Sequence, residues 1–305
     1  MDKIATGYEI HKKETALTVY EEDTPEVVKI YLVCKKIEGL SQQTLDTYLR
    51  MLKLFFQEIR KPINQITTNE IRMYLFSYRQ RRNCSNRSLD KYRQYLSAFF
   101  TWATDEGYVQ HNPMRTISAI RYEKRPRENL THLEMEYLRQ SCKTLRETAI
   151  VEFLYSTGCR VSELSGTKLS DVNWTARSVE LFGKGGKYRT SFINARAEVA
   201  LRAYLESRTD DSVYLFVTER KPYRQIKKDA LEKIVRNISS RLPVDVQKHI
   251  TPHVLRHTTA TLALQGGMPI ADISKLLGHE SIGTTMIYAH TSLADIQAGH
   301  KKYVV

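Results

Sequence analysis

The sequence predicts a mainly α-helical protein with one small β-hairpin, built as two parts joined by a basic, proline-containing segment. Three observations carry this. Apolar residues recur at three- and four-residue spacing through most of the first hundred positions. A single stretch, Ser178 to Asn194, alternates with period two around a glycine-rich tip. Between the parts, Arg121 to Arg127 (RYEKRPR) has the composition of a linker.

Taken in order, residues 1–24 are mixed in charge, weakly periodic, and read as a tail. Thr24-Pro25 opens the first helix, which sets Val28, Tyr31 and Leu32 on recurring positions and ends at Gly39. Ser41 to Ile59 is apolar at Leu45, Tyr48, Leu49, Leu52 and Phe56, with Pro62 as the break. Thr67 or Thr68 caps a third helix through Arg79. A fourth, Ser88 to Asp105, carries Tyr92, Leu96, Phe99, Phe100 and Trp102 and stops at Gly107. Residues 25–115 therefore form a helical domain, and residues 116–129 the linker.

Helices resume in the second part, residues 130–305, at Thr131 to Cys142 and Leu145 to Tyr155. Thr157-Gly158 turns the chain, and Arg160 starts the next helix with Glu163 three positions on. The hairpin follows: Ser178 to Phe182, the tip Gly183-Lys184-Gly185-Gly186-Lys187, and a return from Tyr188. Asn194 to Ser207, Ser212 to Val217 and Asp229 to Leu242 read as helix, short apolar strand and helix. Thr251 is an N-cap with Pro252 at the first helical position, and Gly266-Gly267 closes that helix after Gln265. It carries His253 and Arg256 on one face of its first turn. Ile270 to Leu277 is a short helix closed by Gly278, with His279 next, and Ser281 opens a helix carrying Tyr288. Leu293 to Val305 reads as a terminal helix.

Composition narrows the class of partner. Lys and Arg number 47 against 34 Asp and Glu, a net charge of +13, which favours a polyanion. Between Arg72 and Arg93, basic residues interleave with tyrosines, and Arg79, Arg81, Arg82, Arg87 and Lys91, with Arg125 in the linker, are the candidate phosphate contacts. The alternative for such a run is a solvated face. No apolar run approaches the ~20 residues of a membrane span, and the charged N-terminus gives no signal peptide. Cys34, Cys84, Cys142 and Cys159 form no metal-type spacing, so reduced thiols in a cytoplasmic protein are expected.

His253, Arg256, His279 and Tyr288 fall close together between Thr251 and His290, all near helix ends. A guanidinium offers paired donors to phosphate oxygens, a histidine moves a proton near neutrality, and a tyrosine hydroxyl can attack phosphorus. No Walker-type glycine loop and no carboxylate cluster for magnesium accompanies them. His257, four after His253, invites a zinc reading, but neither the glutamate of an H-E-x-x-H motif nor a third ligand supports it. Any one of these residues alone could simply pack or cap a helix.

As a set they resemble something specific. The H-x-x-R-H block at His253, the L-G-H block at Leu277 and the T-T-x-x-Y block at Thr284 match the tyrosine recombinases, the phage integrase family, in type, order and spacing. The T-G-C-R-V-S-E-L block at Thr157 resembles that family's first arginine motif. The resemblance implies a helical core-binding domain followed by a mixed α/β catalytic domain, closing as a C-shaped clamp on DNA. It implies six catalytic residues: Arg160, Lys184, His253, Arg256, His279 and the nucleophile Tyr288, with Glu163 in support. From spacing alone Lys184 would be a solvated tip lysine, and Lys187 is the fallback acid. His257 and His290 stay structural or incidental.

The implied activity is site-specific recombination through a 3′-phosphotyrosine intermediate, with no metal and no ATP. The implied partners are duplex recombination sites, two of which are held by a homotetramer that exchanges its C-terminal helices, in a cytoplasmic, nucleoid-associated setting. A type IB topoisomerase shares the chemistry, but a long linker helix is missing and the T-T-x-x-Y block is present. A non-catalytic DNA-binding protein would not need all six residues, and a metal-dependent nuclease would need carboxylates. Integration, excision, inversion and dimer resolution stay undivided at this level.

Overall fold

The computed structural model describes residues 24–123, 128–183, 186–246, 248–279 and 281–286. The chain divides into two compact units at Arg125–Pro126.

In the first unit, α1 (Glu26–Ile37), α2 (Gln42–Ile59), α3 (Thr68–Arg82) and α4 (Asn86–Asp105) enclose an aromatic core. Tyr31 is fully buried and meets Tyr48, Phe99 and Trp102 at ring-centroid distances of 5.1 to 5.4 Å. Phe55, one residue from the expected Phe56, is the deeper of the two and packs edge-on against Tyr74 and Phe100. Such edge-to-face rings add to what area burial alone contributes. Tyr92 donates its hydroxyl to the Met51 carbonyl at 2.7 Å, so the buried polar atom is satisfied.

Caps set the helix limits here. Thr67 and Glu70 form a capping box at the start of α3, the Thr67 side chain accepting from the Glu70 N–H and the Glu70 carboxylate from the Thr67 N–H. The helix then runs three residues past the expected Arg79, because Asn83 is the residue that takes the left-handed conformation, φ 43°. Ser85 caps α4 by accepting from the Ser88 N–H, so α4 starts ahead of the expected Ser88.

The second unit contains α5 (His132–Gln140), α6 (Leu145–Thr157), α7 (Val161–Gly166), the strands β1 (Val172–Asn173), β2 (Ser178–Phe182) and β3 (Tyr188–Phe192), then α8 (Ala195–Glu206), α9 (Lys228–Ser239), α10 (Pro252–Gln265), α11 (Ile270–Leu277) and α12 (Ile282–Thr285). The sheet is antiparallel in the order β1-β2-β3, with Leu181 opposite Arg189 and Val179 opposite Ser191. Helix α6 runs through the middle; Ala149, Ile150, Val151, Phe153 and Leu154 are all inaccessible to solvent. A smaller cluster of Ala260, Ile273 and Leu277 holds α11 on α10.

One expected element is absent and one was not expected. Ser212 to Val217 is not a strand among the described residues; it makes only isolated bridges, Lys168 with Tyr214 and Val217 with Gln225. Two of its carbonyls, those of Tyr214 (2.8 Å) and Ser212 (3.0 Å), accept from the Arg208 guanidinium and not from a neighbouring strand. The two-residue strand β1 is too short to leave a period in the sequence.

Candidate functional site

The site is built on turns. Helix α6 ends at Gly158, which takes φ 57° and donates its N–H to the Leu154 carbonyl at 3.0 Å. Two residues later Arg160 is the N-cap of α7. Its N–H donates to Glu163 Oε2 and its Nη1 to Glu163 Oε1, both at 2.8 Å. Spacing alone allowed a surface ion pair here. Instead the Glu163 side chain is 1 % exposed.

A second guanidinium reaches the same carboxylate. Arg189, on β3, donates through Nη2 to Glu163 Oε2 at 2.8 Å and through Nη1 to the Leu276 carbonyl. Burial alone would raise the Glu163 carboxyl. The Arg189 charge, the Arg160 N–H and the two guanidinium hydrogen bonds outweigh it and hold the group below the ordinary carboxylate range.

Arg256 comes from the first turns of α10, where Thr251 accepts from the Val254 N–H and Pro252 needs no donor partner. It is buried, and its Nη1 and Nη2 donate to the carbonyls of Gly158 and Leu277, each at 2.7 Å. Arg160 Nη2 donates to the next carbonyl along, that of Gly278, at 3.3 Å. Both arginines are thus tied to consecutive main-chain acceptors at the end of α11.

That same turn positions the histidine. Gly278 closes α11 with φ 64°, and the His279 N–H then reaches the Ser274 carbonyl at 3.0 Å. His279 Nδ1 and the hydroxyl of Thr285, which is fully buried, are hydrogen-bonded at 2.7 Å. His253 lies one turn before Arg256 on α10 and is exposed. Arg160, Glu163, Lys187, Arg189, His279 and Thr284 line an open cleft of about 510 Å³.

Of the six residues singled out by motif, four are described: Arg160 and Arg256 converge on residues 277–278, His279 sits beside them, and His253 occupies the start of α10. Lys184 and Tyr288 lie outside the described residues, as do Arg125, His290 and the segment from Leu293 to Val305. Lys187 is exposed on the cleft wall, and His257 is buried in α10. In the first unit Arg79, Arg82, Arg87 and Lys91 are exposed, Lys91 lying over the Tyr95 ring at 5.1 Å. Arg81 is ion-paired to Glu58.

Sequence reasoning missed Arg189 and Thr285. The strand's pattern pointed away from Arg189: β3 turns its aromatics, Tyr188 and Phe192, outward and its polar Arg189 and Ser191 inward, the reverse of an ordinary half-buried strand. Thr285 stood inside the T-T-x-x-Y block, but nothing in that pattern says that its hydroxyl turns back to His279.

Comparison with known proteins adds a family. The model of the phage integrase family matches residues 128–294, and that of the phage integrase N-terminal SAM-like domain matches residues 30–109. Tyrosine recombinase XerC of Pelobacter propionicus is 33% identical over 273 residues, which cover 84% of this chain and 87% of that protein. The crystal structure of XerA recombinase is similar at 28% identity and a TM-score of 0.52, covering 92% of this chain and 99% of that one. XerH site-specific recombinase, bound to palindromic difH substrate in a post-cleavage complex, has the same fold at 22% identity and a TM-score of 0.70, over 92% of this chain and 84% of that one.

Proposed function

Since the chain belongs to the phage integrase family and is a tyrosine-type site-specific recombinase, we propose that its chemistry runs on the residues around the turn at 277–279 together with Tyr288 and Lys184. The observation that carries the reading is the bonding of Arg160 and Arg256 to consecutive carbonyls, with His279 on the same turn. A guanidinium has five N–H donors, so the two bonds Arg160 makes to Glu163 and Gly278 leave it capacity for phosphate oxygens.

In this proposal the Tyr288 oxygen attacks the scissile phosphorus and its proton leaves by way of His253. Arg160, Arg256 and His279 hold the non-bridging oxygens, whose negative charge grows in the five-coordinate transition state. Removing one such donor typically costs about 10²- to 10³-fold in rate. The bond from phosphorus to the 5′ oxygen breaks as Lys184 delivers a proton to that oxygen, leaving a 3′-phosphotyrosine. Attack by a 5′-hydroxyl reverses each transfer and rejoins the strand. Bond energy is conserved in the ester, and positive charge comes from side chains, so the proposal includes neither ATP nor metal.

The substrate in this reading is duplex DNA, and the similar XerH recombinase is bound to a palindromic difH substrate. Conservative exchange joins two duplexes and so takes four protomers, with the segment from Leu293 docking on a neighbour. The domains divide as a tail, 1–24, a core-binding part, 25–115, a basic linker, 116–129, and a catalytic part, 130–305, and the protein works in the cytoplasm on the nucleoid. The test uses nicked duplexes drawn from inverted repeats flanking its own gene. Wild type should leave protein-linked DNA on a denaturing gel and Tyr288→Phe should bind without linking. A linked product from Tyr288→Phe would refute the nucleophile.

A further inference from the structure

We propose that Arg189 is a positioning residue of the reaction: it is the counter-ion of the buried Glu163 carboxylate, and by holding that charge it leaves the charge of Arg160 to the phosphate. The proposal rests on the reading of Arg160 as a phosphate ligand given above.

The geometry separates the two arginines. Glu163 is 1 % exposed, Arg189 12 % and Arg160 30 %, so the carboxylate is neutralised from inside by Arg189 while Arg160 stands at the cleft. One carboxylate between two guanidiniums leaves a net charge of +1 on this trio. Without Arg189 the remaining pair would be neutral, and Arg160 would be held by the full attraction of an unshared, desolvated carboxylate. Attraction at such a buried position is far stronger than at a surface. A phosphate would then have to compete with Glu163 for the same guanidinium.

The arm of Arg189 also has a fixed path. Its two Nη groups diverge to Glu163 on α7 and to the Leu276 carbonyl on α11. Its Cδ crosses so close to Gly278 that a Cβ there would lie 2.4 Å away. One side chain therefore joins the return strand of the hairpin to the helix of Arg160 and to the turn of His279.

A double-mutant cycle on cleavage of the nicked duplex tests this. Arg189→Met keeps the length and apolar volume of the arm and removes the charge. It should keep DNA affinity within about threefold, since only one cation is lost, while adduct formation slows about 100-fold. Glu163→Gln in the same chain removes the charge that needs a counter-ion, so the double variant should cleave at least about tenfold faster than Arg189→Met alone. Merely structural roles predict the opposite, additive losses. A double variant no faster than Arg189→Met, or an Arg189→Met that cleaves like wild type, overturns the proposal. If Arg189→Met loses its cooperative melt, Arg189→Lys decides: cleavage within about tenfold of wild type supports the counter-ion role, and a folded Arg189→Lys down by about 100-fold refutes it. Wild type and Tyr288→Phe run alongside, so failure of wild type to form an adduct points to the functional reading and not to Arg189.

Discussion

Arg160 and Gly278, 118 positions apart in the chain, meet through a hydrogen bond of 3.3 Å from the guanidinium Nη2 to the glycine carbonyl. The bond makes the end of α11 part of the proposed phosphate site rather than a spacer before it, because the carbonyl one residue earlier holds Arg256.

Gly278→Ala should therefore damage the site twice over. A Cβ at φ 64° is strained on its own, and it would press on Arg189 as well. The expected cost is about 2 kcal/mol of stability, with a larger fall in cleavage. Gly39→Ala is the matched control: φ is 88° and no atom lies within 4 Å, so only the backbone cost of about 1 kcal/mol applies. Thermal melts should shift for both and the cleavage rate only for Gly278→Ala. Equal cleavage by the two variants would show that the turn has no part in the chemistry.

Thr285→Val removes the hydroxyl bonded to His279 Nδ1 while keeping the shape of a fully buried side chain. The ring nitrogen that faces the partner sets which tautomer the other presents. The expected outcome is a tenfold or so drop in adduct formation with DNA affinity unchanged. Measuring both on one preparation checks it, and an unaltered rate would detach Thr285 from the function of His279.

Salt tests the meaning of the basic surplus. If the +13 charge and the exposed Arg79, Arg82 and Arg87 mark a DNA footprint, affinity should fall on the order of a thousandfold between about 50 and 200 mM salt for ~6 phosphate contacts. Fluorescence anisotropy over that range is sufficient. A flat response would leave the surplus as solvation only.

Acid should loosen the second unit through Glu147. Its carboxylate takes both Nη groups of Arg241, at 2.6 and 2.8 Å, and the Lys143 N–H at 2.7 Å. Those bonds, Arg241 first, outweigh burial and lower its pKa below the ordinary 4.5. A depressed folded pKa means that the contribution is fully present above the unfolded value and disappears as pH falls through the folded one. Glu147→Gln should thus melt lower than wild type at neutral pH, by about 1–2 kcal/mol in stability. The gap should close as pH drops below about 4.5. A gap that persists in acid would mean the loss is steric.

Much of this was legible beforehand, for reasons that differ by residue. The bounds of α10 and α11 were written in their caps, Thr251-Pro252 and Gly278, because capping acts over a turn or less. The pairing of Arg160 with Glu163 was legible as an i, i+3 spacing, but its burial was not, since burial is decided by what packs over α7. Arg189 is 26 positions from Glu163, and its partner at α11 is a carbonyl, which every residue has. The expected strand at Ser212 is a similar case: nothing in the apolar pattern announces that Arg208 claims two of its carbonyls.

Two of the acceptors that hold Arg256 are carbonyl oxygens, and a carbonyl is not something a point mutation can remove. Any substitution at Leu277 that respects the packing leaves the acceptor intact, so drift in side-chain identity passes this part of the site unnoticed. What a mutation can change is the path of the backbone. The burden falls on Gly158 and Gly278, whose positive φ values carry that path and whose missing Cβ atoms leave room for Leu277 and Arg189. A library randomised across this region should tolerate many letters at its side chains and almost none at the two positions that have no side chain at all.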